Sequence, residues 1–152
     1  MINSFFNEKK EIVEPGTTGE IGVSGSGVLK GYLNDPEAFQ ASMHQGYFMT
    51  GDLGYVDDDG SFHYVDRKKD LIIKAGINIA PSQIDELLQT HPSVSIAQVI
   101  AVPDAKYVEV PAAYIELRPD CGATEKEVIE YCDGKIARFK IPRYVRFVSA
   151  SE

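Results

Sequence analysis

The sequence is poor in the residues that hold metals and cross-link chains. It has two cysteines, Cys121 and Cys132, and three histidines, His44, His63 and His91, with no paired CxxC spacing, so no metal framework can be read from it. Free thiols are the simplest reading, and one disulfide stays open because sequence separation does not fix spatial distance. Long apolar runs are missing as well. Stretches such as Leu71-Ile72-Ile73 fall far short of the roughly 20 residues that span a bilayer. Met1-Ile2-Asn3-Ser4 has neither the basic start nor the apolar core of a signal peptide. A cytoplasmic location is expected. Positive charge is also scarce, with 15 basic against 23 acidic residues and a formal charge of -8. A field of that sign repels phosphate backbones and anionic headgroups, which argues against nucleic acid and membrane surfaces as partners.

What is present is the composition of a folding chain. Hydrophobic residues make up 43%, with seven Phe and eight Tyr spread along 152 positions, and that length buries one ordinary core or two small ones. Up to about residue 67 the texture is β. Glu20–Ser24 alternates, Pro15-Gly16 marks a turn, and Asp57-Asp58-Asp59-Gly60 joins two strands as a hairpin. Asn34-Asp35-Pro36 starts one short helix, with a capping side chain and a proline whose φ is preset for the first turn.

After Lys69 the texture changes. Pro81 opens a helix carrying Ile84, Leu87 and Leu88 on one face, and Val94–Val102 and Val110–Leu117 read as strands. Thr124 and Glu127 match a capping box. The helix they start should run to about Arg138, with Val128, Ile129, Cys132 and Ile136 at helical spacing. Tyr144–Val148 returns as a last strand. The resulting β-α-β-β-α-β order describes a compact α+β domain.

Several short motifs carry chemistry, each beside a plainer reading. Gly22, Gly25 and Gly27 could turn bare amides toward an anion, but no Gly-Lys-Ser/Thr follows, so bulges and tight turns are the better explanation. Thr50-Gly51-Asp52 sits where a loop should enter a strand, leaving Asp52 able to offer a bidentate carboxylate to vicinal ribose hydroxyls, or simply to cap a turn. Asp66-Arg67-Lys68-Lys69-Asp70 is a charge run, ordinarily a solvated face, that here lies at the junction of two textures. Its Arg67 has the fixed fork of donors suited to phosphate or ribose oxygens, whereas a flexible Lys suits a swivel. Lys74–Ile79 reads as a tight loop between strands, where Gly76 permits φ > 0 or close approach of another chain, or simply as an ordinary hairpin. Arg138, Lys140, Arg143 and Arg146 form a second basic set, read most simply as a solvated helix end and edge strand, with a site for a phosphorylated ligand as the lesser alternative.

Order and spacing say more than any one motif. Gly19-Glu20-Ile21 with Gly31-Tyr32, then Gly46–Leu53, then Tyr64–Asp70, then Gly76-Ile77-Asn78-Ile79-Ala80-Pro81 resemble the consecutive late motifs of the adenylate-forming superfamily. The resemblance covers nearly the whole chain. Asp-Arg-Lys-Lys-Asp followed by Asn-Ile-x-Pro is similar to the AMP-forming acyl-CoA synthetase branch rather than to peptide-synthetase adenylation domains.

The resemblance implies that residues 1–68 are the β-rich end of a large N-terminal AMP-binding domain. Residues 69–152 would be a small α+β C-terminal lid with a short sheet and two main helices, incomplete at its end. By position, Asp52 would hold the ribose hydroxyls of ATP, Arg67 would contact the nucleotide nearby, and Lys69 would be the hinge. Ala75 and Gly76 would line the channel for the pantetheine of coenzyme A. The Gly-Gly pair usual in that loop is Ala75-Gly76 here, and the Glu often found after it is Ile77. The complete enzyme would join a fatty or aryl carboxylic acid to CoA using ATP and magnesium. Its phosphate loop, acid pocket and magnesium-binding segment are expected upstream of Met1, and its adenylation lysine downstream of Glu152. No catalytic residue or metal ligand is therefore expected within the chain, which alone should be inactive and should self-associate in the absence of its N-terminal domain. An alternative is a standalone α+β interaction module that catalyses nothing.

Overall fold

The computed structural model describes residues 2–149 and divides into two compact units, Met1–Lys69 and Asp70–Glu152. The first is built on a five-stranded antiparallel sheet. Strands β1 (Ile2–Phe6) and β2 (Gly19–Ser24) pair with each other, and β2 runs along one edge of the long β4 (Tyr47–Val56). The other edge of β4 is shared. The two-residue β3 (Met43–His44) occupies its start and β5 (Phe62–Arg67) its end.

Aromatic packing holds this sheet. Phe6 is 1% exposed, with its ring 5.3 Å from that of Tyr47 and 5.8 Å from that of His44, both edge-on, the arrangement that the ring quadrupole favours. Gly22 makes the fit feasible, since a Cβ there would lie 2.5 Å from Cε2 of Phe6. The Asp57–Gly60 turn joins β4 to β5 as the sequence indicates. Its Asp57 carboxylate accepts the amides of Asp59 and Ser61 at 3.1 and 2.8 Å. Helix α1 (Pro36–Ala41) starts where expected, with Asp35 accepting the Ala38 amide, and buries none of its residues.

The second unit is α+β, as expected. Its five-stranded sheet runs β10 (Tyr144–Phe147), β9 (Val108–Leu117), β6 (Ile72–Lys74), β7 (Ile77–Ile79), with β8 (Val94–Asp104) also paired to β9. The tight loop expected between strands at Lys74–Ile79 is a hairpin, β6–β7, so two short strands stand where the β-α-β-β-α-β order counts one. Helices α2 (Pro81–Gln89) and α3 (Glu125–Cys132) bury Ile84, Leu88, Val128 and Cys132 with Ile72, Val99 and Ile115 from the sheet. Each such aliphatic side chain contributes about 1.5–3 kcal/mol on leaving water. Asp85 ties α2 to the sheet by accepting the Val99 amide at 2.6 Å.

Thr124 and Glu127 form the capping box read from the sequence, with both reciprocal hydrogen bonds present. The far end of α3 departs from expectation, ending at Cys132 rather than near Arg138. Asp133 leaves the helical region at ψ 132, and Gly134 takes φ +74, which stops the hydrogen-bond ladder where glycine has no Cβ to oppose it. A 3-10 turn, Arg138–Lys140, then leads to Pro142 and β10, which runs parallel to β9. Ile129 and Ile136 still pack against the core. Both cysteines are free, Cys121 exposed and Cys132 buried. Among the described residues no helix is long and apolar enough to cross a membrane.

Candidate functional site

Thr50-Gly51-Asp52 does not mark a loop entering a strand. It lies in the middle of β4, as a bulge. Leu53 pairs with Glu20 and Met49 with Gly22, so Thr50, Gly51 and Asp52 together face the single residue Ile21 on β2. Bulges of this kind bend a strand and re-aim a side chain. Gly51 at φ +77 supplies the left-handed step. Thr50 clips the bulge shut, its hydroxyl donating to the Ile21 carbonyl at 2.9 Å and accepting the Asp52 amide at 3.1 Å. The Gly51 amide donates to Oε1 of Glu20 at 3.3 Å.

The bulge sets Asp52 opposite Arg67, the last residue of β5. Oδ1 of Asp52 lies 3.4 Å from Nε of Arg67, with the two side chains 33% and 58% exposed. A second bulge, on β5 between its pairs to Leu53 and Gly54, precedes this contact. There Asp66 is buried and its carboxylate accepts the Arg67 amide at 2.8 Å. Lys68 and Lys69 follow in an exposed 3-10 turn, Lys68–Asp70, and Nζ of Lys68 reaches Oε2 of Glu20 at 2.9 Å. Thr50, Gly51, Asp52, Arg67, Lys68 and Lys69 line an open cleft of about 420 Å³.

Chemically the cleft is lined by one carboxylate, Asp52, and three basic side chains, of which Arg67 pairs with Asp52 and Lys68 with Glu20. The carboxylate can take two vicinal hydroxyls and the guanidinium can reach phosphate or sugar oxygens. The structure thus brings together Asp52, Arg67 and Lys69. Sequence reasoning missed Glu20, which was visible only as part of a Gly-Glu-Ile motif, because its contacts to Gly51 and Lys68 depend on strand register.

Ala75 and Gly76 belong to the other unit, as the two-residue turn of the β6–β7 hairpin. Their φ values of +49 and +82 are those of a type I′ turn, whose twist matches a hairpin. The Ala75 amide donates to the Tyr107 carbonyl at 2.8 Å and Nζ of Lys74 to the Phe139 carbonyl at 2.8 Å, so the exposed turn is anchored at its base. The second basic set does not act as one cluster. Lys140 donates to Gln83 and Arg143 pairs with Asp104 at 2.8 Å. The Asp104 carboxyl is held below its ordinary value by the Lys106 and Tyr107 amides, with help from Arg143. Among the described residues no group of three or more His, Cys, Asp or Glu side chains is placed to hold a metal ion.

The profile of a family described as AMP-binding enzyme C-terminal domain matches residues 83–152. The chain is similar to a putative acyl-CoA synthetase, YngI, of Bacillus subtilis, at 44% identity over 146 residues, covering 90% of this chain and 27% of that protein. In structure it is similar to the o-succinylbenzoate CoA synthetase MenE of B. subtilis. With the acyl-adenylate intermediate bound, that enzyme aligns at a TM-score of 0.90 and 36% identity over 97% of this chain and 30% of the other. A structure of the same enzyme with ATP and magnesium gives 0.87 and 35%, with the same coverage. The chain spans under a third of the length of the relatives it matches.

Proposed function

The chain belongs to the adenylate-forming superfamily and corresponds to the C-terminal part of its AMP-forming acyl-CoA ligases, and from that premise we propose how it works. Within a longer polypeptide it supplies the mobile lid and the adjoining nucleotide-contacting edge of an enzyme that converts a carboxylic acid, ATP and CoA to acyl-CoA, AMP and pyrophosphate. Asp52 holds the ribose hydroxyls of ATP, Arg67 steadies the nucleotide beside it, Lys69 is the hinge between residues 1–68 and 69–152, and Ala75-Gly76 borders the path of the pantetheine thiol.

The observation that carries this reading is the juxtaposition of Asp52 and Arg67 on two bulged strands, one step ahead of the exposed turn that holds Lys69. A ribose-contacting pair on rigid strands followed at once by a swivel suits the chemistry. An acyl-adenylate is an activated mixed anhydride, so its site must exclude water in the first step and admit a thiol in the second. A lid that exchanges faces does both. The phosphate contacts, the acid pocket and magnesium are tasks for the remainder of the protein.

The test is acid-dependent exchange of pyrophosphate into ATP by the full-length protein that carries this chain, across short, fatty and aryl carboxylic acids, followed by CoA-dependent thioester formation. Exchange with at least one acid and thioester on adding CoA are the expected results. A folded full-length protein that exchanges pyrophosphate with none of them sinks the proposal.

A further inference from the structure

We propose that Glu20 is a positioning residue of this nucleotide site, one carboxylate fixing both the bulge that aims Asp52 and the residue that precedes the hinge. The inference rests on the reading of Asp52 and Lys69 given above. Glu20 lies on β2, directly opposite Leu53 and at the edge of the bulge. Its side chain is 15% exposed and divides its two oxygens between distant partners. Oε1 takes the Gly51 amide at 3.3 Å and Oε2 takes the Lys68 ammonium at 2.9 Å.

Each contact answers a physical need. At the bulge, Gly51 has no place in the regular pairing of β4 with β2, and its amide needs an acceptor if the left-handed step is to persist. Thr50 serves the Asp52 amide, and Glu20 serves Gly51. Losing Glu20 frees the central residue of the bulge, and Asp52 is the next residue along the chain. At the other end, Lys68 stands between Arg67, which ends β5, and Lys69. A charge-assisted bond from a largely buried carboxylate is among the stronger side-chain contacts. It holds Lys68 to the sheet and confines rotation to the residues after it.

Glu20 touches no reacting atom in this scheme, so its removal should act on binding and on the balance of half-reactions. In the full-length protein, Glu20→Ala should raise the KM for ATP in pyrophosphate exchange about tenfold, the effect of losing roughly one charge-assisted contact, with kcat at saturating ATP little changed. Glu20→Gln retains a neutral acceptor for Gly51 and should restore most of the KM. It should not restore the ratio of thioester formation to adenylation, which the Lys68 arm sets and which Lys68→Met should shift in the same direction. An unaltered KM in folded Glu20→Ala protein overturns the proposal, as does a loss of kcat and thermal stability together that glutamine fails to rescue. Should the parent protein show no exchange with any acid, the functional reading fails by itself. Glu20 is then judged by hydrogen exchange across residues 47–56, where faster exchange in Glu20→Ala upholds the clamp on the bulge and unchanged exchange removes it.

Discussion

Asp52 stands opposite Arg67 on neighbouring antiparallel strands, with Oδ1 3.4 Å from Nε. Both side chains are partly solvated, and an ion pair of that kind is worth about 0–1 kcal/mol. The pair is too weak to be retained for stability and weak enough to open for a ligand. Asp52→Ala should therefore leave the thermal unfolding of this chain almost unaltered, while in the full-length protein it should weaken ATP binding and adenylation together. Unfolding curves and pyrophosphate exchange check the two halves separately. A large loss of stability would make Asp52 a structural residue.

Gly22 and Gly31 provide a paired test of the aromatic core. A Cβ at Gly22 would lie 2.5 Å from Cε2 of Phe6, whereas one at Gly31 meets nothing within 4 Å. The Phe6 ring is held between Tyr47 and His44 and has little room to move. Gly22→Ala should cost about 1–3 kcal/mol, the range for overpacking a filled core, and Gly31→Ala should be close to neutral. Denaturant unfolding of both variants decides it, and equal midpoints would mean that the ring relocates freely.

Much of the second unit was legible because its signals are local. The Thr124 capping box, the proline at the start of α2 and the long apolar strands depend on residues a few positions apart, and each reappears in the structure. The candidate site was legible as a set of residues but not as a geometry. Thr50-Gly51-Asp52 reads as a turn from composition, since nothing in those letters reveals that they face Ile21 alone across two strands. The early end of α3 was missed because Val128, Ile129, Cys132 and Ile136 keep an apolar rhythm past Gly134, whose φ of +74 breaks the helix while Ile136 still reaches the core.

The hairpin turn carries a measurable strain. Ala75 adopts φ +49, a region that disfavours any residue with a Cβ by roughly 1–2 kcal/mol. Part of that is offset because glycine has more freedom to lose on folding, by about 0.4–1 kcal/mol. Ala75→Gly should raise the melting temperature slightly or leave it unaltered. A clear drop, read by calorimetry, would mean that the Ala75 methyl makes a contact that outweighs the backbone strain.

Stability should fall on both sides of neutral pH for separate reasons. Asp57 is held below its ordinary value of 3.8 by the His63 hydrogen bond and the Ser61 amide, and Glu127 below 4.5 by the Thr124 amide and hydroxyl. Groups whose folded pKa is lowered stabilise the fold above their unfolded pKa and lose that contribution as pH falls through the folded value. The acid decline should thus begin near pH 4, with Asp104 acting in the same sense. Cys132 is the reverse case, because burial pushes its thiol above the ordinary 9.0. Its contribution is present below that pH and fades as pH rises through the folded value. Cys132→Ala, though less stable overall, should show a flatter alkaline limb in melting temperature against pH. Parallel alkaline limbs would remove the thiol from the account.

The half-reactions offer the sharpest test of Lys69. It lies in an exposed 3-10 turn, where a swivel meets no packing resistance. Proline at this position fixes its own φ and pushes Lys68 away from helical backbone, so the turn would be held in one arrangement. Adenylation needs ATP and acid held in a single pose, and thioester formation needs the lid to move. In the full-length protein, Lys69→Pro should therefore keep acid-dependent pyrophosphate exchange while transfer of the acyl group from the adenylate to CoA slows strongly. The isolated chain should form no acyl-adenylate at all. In the proposed scheme Asp52 and Arg67 only orient the ribose, no group of three or more His, Cys, Asp or Glu among the described residues is placed to hold a metal, and adenylation needs positive charge set against the α-phosphate. Binding of ATP to the isolated chain should be feeble, because a few exposed hydrogen bonds contribute about 0.5–1.5 kcal/mol each. Equal loss of both half-reactions in the Lys69→Pro enzyme would remove Lys69 from the hinge, and robust ATP- and acid-dependent pyrophosphate release by the chain alone would show that it carries the whole chemistry itself.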